Sequence, residues 1–252
     1  MPTTGKVERY LIERSRKGTL VAALIDPEDY TPREASEVAV KAKSVGASVI
    51  LVGGSTISNQ QRLDEVVKAI KHSVTSHVIL FPGNITGVSH HADAILFSSL
   101  LNSTNPYFIV GAQALGSMEV FKSGIESIPM GYLVFGDQSS TSFIGQVNPL
   151  PMSKPGLAVI YALAAKYLGM RTLYLEAGSG AVNLVPEGTV AAVRKFYDGL
   201  LIIGGGITTG DAARRAAKAG ADVIVVGNML ANEGSDDVLA EMVNAVKSSR
   251  TG

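Results

Sequence analysis

The chain has 252 residues, with 22 basic and 22 acidic side chains and no cysteine. The balanced charge provides no field to draw in a polyanion and lacks the basic excess of a nucleic-acid binder, and without thiols there is neither a disulfide framework nor a Cys-ligated metal. Residues 1–17 carry charges and no apolar signal-peptide core, and no uninterrupted apolar run reaches the roughly 18 residues of a membrane helix, so a cytoplasmic protein is expected.

In chain order, short β-branched and aliphatic runs predict strands at residues 19–25, 48–52, 78–81, 94–97, 131–135, 172–175, 200–203 and 223–226. Most are almost wholly apolar, as parallel strands buried on both faces are. Between them, helical periodicity predicts helices at 32–45, 59–71, 105–122, 155–168, 187–196, 209–219 and 235–247. Thr31 precedes Pro32, Ser58 is available as an N-cap, and Pro155 sits in a first turn. Eight strand–helix alternations in a chain of about 250 residues predict one (β/α)8 TIM-barrel domain over residues 1–252. A doubly wound open sheet is the alternative. The positive mean hydropathy anticipates a large core or an apolar pocket, and association of copies into a homo-oligomer through apolar helix faces.

Two connections break the rhythm. Residues 82–93 leave little room for a helix and two loops, so the third helix is expected to be irregular or missing, with an opening or a mobile segment on that side. Residues 137–154 form a long loop rich in Ser, Thr, Gly and Pro, of the kind that is usually functional or disordered.

Active sites of such barrels lie at the C-terminal ends of the strands. Gly204, Gly205 and Gly206 follow strand seven, and Gly227 and Asn228 follow strand eight. Glycines let a backbone approach closely and a helix N-terminus favours anions, so this pair of turns is a candidate phosphate grip; plain tight turns are the alternative. Glu176 stands at the tip of strand six with Tyr174 two residues back, so both side chains should face the barrel mouth. A carboxylate there accepts a hydrogen bond from a hydroxyl or takes its proton, unless a buried Arg or Lys claims it. Asp26 ends strand one and suits Mg²⁺, or a helix cap; Ser55 and Thr56 suit a hydroxyl ligand, or a cap. Ser98 and Ser99 follow strand four, and Gly136 and Asp137 follow strand five. His72, His77, His90 and His91 all precede a strand or sit in a helix, towards the bottom of the barrel. No lysine ends a strand. The mouth therefore suits Mg²⁺-assisted phosphate chemistry better than acid–base isomerisation or Schiff-base chemistry.

Six motifs occur in order: Leu24-Ile25-Asp26-Pro27, Val52-Gly53-Gly54-Ser55, Phe81-Pro82-Gly83-Asn84, Tyr174-Leu175-Glu176-Ala177-Gly178-Ser179-Gly180, Gly204-Gly205-Gly206-Ile207 and Val226-Gly227-Asn228. With them the chain resembles the geranylgeranylglyceryl phosphate synthase family, barrel prenyltransferases of archaeal ether-lipid synthesis, over nearly its whole length. The resemblance implies the joining of sn-glycerol 1-phosphate to geranylgeranyl diphosphate with release of diphosphate, the first ether-bond step. It implies Mg²⁺ held by Asp26 and Ser55. It implies glycerol phosphate bound by Tyr174, Leu175, Glu176, Ala177, Gly178, Ser179, Gly180, Gly205, Gly206, Gly227 and Asn228, with Glu176 orienting the hydroxyl and accepting its proton. A bacterial branch carries lysine two residues before the metal aspartate; Leu24 stands there, as in the archaeal-type branch. Tyr107, Phe108, Tyr132 and Phe135 are candidates for the long prenyl groove. Transient contact with a membrane surface would serve product release. The other readings are a sugar-phosphate isomerase or epimerase and a non-catalytic lipid-phosphate carrier.

Overall fold

The computed structural model describes residues 4–54, 59–136, 139–178, 180–227, 230 and 234–247. Strands β1 (Leu20–Ile25), β2 (Val49–Val52), β3 (Val78–Leu80), β4 (Ala94–Leu100), β5 (Glu126–Val134), β6 (Thr172–Glu176), β7 (Leu200–Gly204) and β8 (Val223–Val226) pair in parallel in chain order. Closure comes from the β1–β8 ladder, Leu20↔Val223 to Ala23↔Val226. The sheet is therefore the expected TIM barrel and not an open doubly wound sheet.

Period-two alternation divides the apolar residues into two layers. Ala22, Leu51, Leu96, Met130, Tyr132, Ile202 and Val225 fill the interior. Ala23, Ile25, Ile50, Leu80, Leu175 and Ile203 face outward against α2 (Pro32–Ser44), α3 (Gln60–Ser73), α4 (Ala112–Ser123), α6 (Pro155–Tyr167), α7 (Glu187–Arg194), α8 (Gly210–Lys218) and α9 (Ser235–Lys247). Thr31 caps α2 in a reciprocal box with Glu34. The cap of α3 is Asn59, whose side chain accepts from Arg62 N at 3.2 Å; Ser58, anticipated for that role, lies outside the described residues.

The structure departs from expectation in five places. Helix α1 (Lys6–Ser15) was not foreseen, because its N-cap position is Gly5 and makes no side-chain cap. Its cap comes from far along the chain: the Glu126 carboxylate accepts from Val7 N at 2.7 Å and Glu8 N at 2.8 Å. So anchored, α1 closes the bottom of the barrel with Val7 and Leu11. Strand β5 begins at Glu126, ahead of Pro129, a residue that discourages a strand assignment. Pro129 is tolerated because β6 pairs with β5 only from Met130 onward. Strand β4 runs to Leu100, so Ser98 and Ser99 lie within the strand and not after it. A short helix α5 (Ser140–Ile144) forms inside the long loop, and a π-helical turn at Tyr107–Gly111 leads into α4. As anticipated, no helix forms in residues 82–93.

Candidate active site

A cavity of about 280 Å³ opens at the C-terminal mouth of the barrel. It begins among Gly180, Gly205, Gly206, Thr208 and Gly227, passes Tyr174 and Glu176, reaches Asp26 and Gly54, and continues as a trench between residues 82–93 and α4. The trench exists because the third helix does not. Ile95 and Phe97 point outward from β4, where a regular barrel would cover them with a helix. Here they line the cavity with Ile85, Val88, Ala112, Gly116 and Val120. Tyr107 Oη donates to Asn84 Oδ1 at 2.6 Å and so ties the two walls together.

Glu176 is 7% exposed. Its Oε1 accepts from Gly178 N at 2.7 Å, and Oε2 lies 3.5 Å from Tyr132 Oη. The Tyr174 hydroxyl also bonds to it. No Arg or Lys neutralises it among the described residues. Burial therefore pushes its pKa up, while Gly178 N–H and the two tyrosine hydroxyls hold part of that rise back. Burial and the neighbouring carboxylate push the Tyr132 and Tyr174 hydroxyls well above the ordinary tyrosine value, so both remain protonated donors. Phe81 fixes the two rings, stacking on Tyr174 at 5.1 Å and meeting Tyr132 edge-on at 5.5 Å.

The glycine turns are shaped by close approach. A Cβ on Gly204 would strike the Tyr174 hydroxyl, and one on Gly206 the Ala181 carbonyl. Gly178, Gly180, Gly205 and Gly206 have φ of 105°, 70°, 86° and 71°, in the left-handed region that side chains avoid. Helix α8 starts at Gly210, capped by Thr209, so only Ile207, Thr208 and Thr209 separate the turn from the helix.

Asp26 faces the same cavity from β1. Its Oδ1 accepts from Glu28 N at 3.0 Å, and a Cβ on Gly54 would overlap its carboxylate. Burial, then nearby Asp29 and Glu28, push its pKa up, and among the described residues no cation offsets them. A half-buried carboxylate with acidic neighbours and no basic partner offers hard oxygen ligands, and it fits Mg²⁺.

The predicted residues thus meet at one mouth: Asp26, Tyr174, Glu176, Gly180, Gly205, Gly206 and Gly227 all line the cavity. Leu175 is turned to the outer layer and Ala177 is buried there too, leaving only their backbones near the site. Gly178 serves through its amide. Ser55, Thr56, Asp137, Ser179 and Asn228 lie outside the described residues. Of the groove candidates, Phe108 and Tyr132 line the cavity, whereas Phe135 is locked between barrel and helices. Tyr107 bridges the trench walls. Sequence reading missed Thr208, Ile85, Val88, Phe97, Gly116 and Val120; the absent third helix was the signal that pointed to most of them. His72 and His77 stand at the end of α3 and the start of β3, whereas the His90 and His91 rings lie tilted against each other beside Asp64 in the first half of α3. Among the described residues no histidine or lysine lines the cavity.

The PcrB family model matches residues 12–247. A geranylgeranylglyceryl phosphate synthase from Cenarchaeum symbiosum (strain A) is 51% identical over 96% of this chain and 98% of its own length. Its namesake from Thermococcus gammatolerans is 51% identical over 92% of both chains. Among solved structures, the (S)-3-O-geranylgeranylglyceryl phosphate synthase of Thermoplasma acidophilum, in complex with substrate sn-glycerol-1-phosphate, is 38% identical. It superposes with a TM-score of 0.93 over 96% of this chain and 99% of that one.

Proposed function

The chain belongs to the PcrB family, and from that membership we propose that it joins sn-glycerol 1-phosphate to geranylgeranyl diphosphate, giving geranylgeranylglyceryl phosphate and diphosphate. It is a prenyltransferase of archaeal ether-lipid synthesis. The observation that carries this reading is the continuity of one cavity, from glycine turns suited to phosphate, past a buried carboxylate, into an apolar trench.

Gly205, Gly206, Thr208 and Gly227 hold the glycerol phosphate; the family resemblance adds Ser179 and Asn228, which lie outside the described residues. Glu176 orients the glycerol hydroxyl and takes its proton as the oxygen bonds to the allylic carbon and the diphosphate departs. Burial raises its pKa, which makes it a stronger proton acceptor than an ordinary carboxylate, while Tyr132 and Tyr174 donate to it and hold it in place. Asp26, with Ser55, would hold Mg²⁺, which would supply positive charge to offset that of the departing diphosphate. Ile85, Val88, Phe97, Gly116 and Val120 receive the prenyl tail and exclude water from the allylic cation.

No helix among the described residues is long and apolar enough to cross a membrane, consistent with a cytoplasmic enzyme. Exposed Leu115, Met118 and Phe121 lie on α4, whose other face lines the trench, and support transient contact with a membrane surface during product release. Exposed Ile160, Tyr167 and Leu168 on and beside α6 support a homo-oligomer.

Incubation of the purified protein with labelled geranylgeranyl diphosphate and sn-glycerol 1-phosphate, with and without Mg²⁺, tests the reading. Ether product formed only with the metal is expected. Isomerised sugar phosphate, or tight lipid binding without product, would replace it with one of the rival readings.

A further inference from the structure

The segment that stands in for the third helix is fastened to α3 by polar contacts. Gln60 Nε2 donates to the Val88 carbonyl, and Ser89 Oγ donates to Asp64 Oδ1. Ser89 Oγ also lies 3.5 Å from His91 N. The next two residues bring two imidazoles to the same place, with His90 and His91 ring centroids 3.7 Å apart and tilted by 47°. One ligand atom each from Asp64, His90 and His91 lies within 4.8 Å of the others. His91 Nε2 is buried and has no hydrogen-bond partner. A buried ring nitrogen left unpaired costs free energy that a coordinate bond removes.

We propose that Asp64, His90 and His91 bind a divalent transition metal of the Zn²⁺ type on the outer wall of the barrel, clamping residues 82–93 to α3. Two imidazoles and one carboxylate favour Zn²⁺ and its neighbours Co²⁺ and Ni²⁺ over Mg²⁺, which takes oxygen alone. Three protein ligands leave a fourth position for water. Ligand atoms around tetrahedral Zn²⁺ stand about 3.3 Å apart, so separations of up to 4.8 Å have to close by up to about 1.5 Å, through side-chain rotations in which the exposed His90 has the most freedom. Ser89 supplies the supporting hydrogen bond that a ligating carboxylate takes, on Oδ1, and leaves Oδ2 for the metal. Val88 lines the trench two residues before His90, so occupancy of this site stiffens one wall of the apolar cavity. The site is separate from Asp26 in residues and in metal preference.

The test uses the full-length protein freed of metal by chelation and dialysis. Zn²⁺ is titrated in competition with a chromophoric chelator, and Co²⁺ is followed by its visible absorption. One Zn²⁺ is expected to bind at micromolar or lower free metal, to raise Tm, and to slow amide exchange in residues 85–93. The His90→Ala and Asp64→Asn variants should each lose more than about tenfold in affinity, the loss that even outer-shell changes cause, together with the tetrahedral Co²⁺ bands. Asp26→Asn should bind Zn²⁺ as the parent does. His90 is exposed, so His90→Ala is expected to keep its fold, and its far-UV spectrum and metal-free Tm check this. If parent and His90→Ala bind Zn²⁺ equally, or neither binds it at micromolar concentration, the proposal is overturned.

Discussion

Gly205 and Glu176 are in direct contact: a Cβ on Gly205 would overlap Glu176 Oε1 and come within 2.7 Å of the Ala177 and Gly178 nitrogens. With φ at 86°, the position also strains any side chain. Gly205→Ala should cost about 1–3 kcal/mol of stability and displace the carboxylate. Because ångström-scale misplacement costs about 10²-fold in rate, kcat should fall by that order, with KM for glycerol phosphate raised. Denaturant titration and steady-state kinetics read the two effects separately.

Glu176→Gln keeps the shape and removes the base. Its kcat should fall by about 10²–10⁴-fold, with glycerol phosphate still bound in calorimetry. Burial raises the folded pKa of Glu176, so its stability contribution is fully present below the unfolded pKa and is lost as pH rises through the folded value. The variant should therefore equal or exceed the parent in Tm at pH 8, the gap closing towards acid. The acid limb of the parent's rate profile should lie above the ordinary carboxylate range. Normal turnover by Glu176→Gln removes the proton-transfer role.

Asp26→Asn should raise the Mg²⁺ concentration for half-maximal rate by about tenfold or more. Burial and acidic neighbours also raise the folded pKa of Asp26. Its charge therefore costs stability increasingly as pH climbs through that value, and without metal the variant should match or exceed the parent's Tm at neutral pH. A Mg²⁺ titration that superposes on the parent's assigns the metal elsewhere.

Gly116 on α4 faces the trench, where an added Cβ would meet only Ile85 Cγ2, at 3.7 Å. Gly116→Phe should fill the far trench. The ratio of kcat/KM for fifteen-carbon over twenty-carbon prenyl diphosphate should rise by about tenfold or more, since each excluded methylene is worth roughly 0.8 kcal/mol. An unchanged ratio would mean that the tail runs elsewhere.

At the opposite end of the barrel, Glu8 is fully buried and receives Arg171 on both oxygens, at 2.7 and 2.8 Å. Arg171→Met strands the charge and should cost about 3–5 kcal/mol, without changing KM for either substrate. Urea unfolding followed by circular dichroism measures the loss.

Much of this protein was legible in its sequence because the information is local. Apolar runs of strand length, glycines after strands seven and eight, and Tyr174 and Glu176 two residues apart are all properties of a few neighbouring residues. Period-two geometry alone sends Asp26, Tyr174 and Glu176 to the mouth and Leu175 to the outer layer. The shortness of residues 82–93 similarly announced an opening. What the sequence could not supply were partnerships between distant residues. Helix α1 depends on a cap from Glu126, so nothing near Gly5 marks its start. Pro129 is acceptable in β5 only because of where β6 begins to pair. Ile95 and Phe97 read as core, and become cavity lining only because the third helix that would cover them is missing. Asp64 acquires His90 and His91 as neighbours only when residues 82–93 lie back along α3. Local sequence determined the strand count, the direction of each side chain and the chemistry at the strand ends. Closure of the barrel decided which of those groups share one cavity, since side chains far apart in the chain meet only where the packing of the whole ring brings them together.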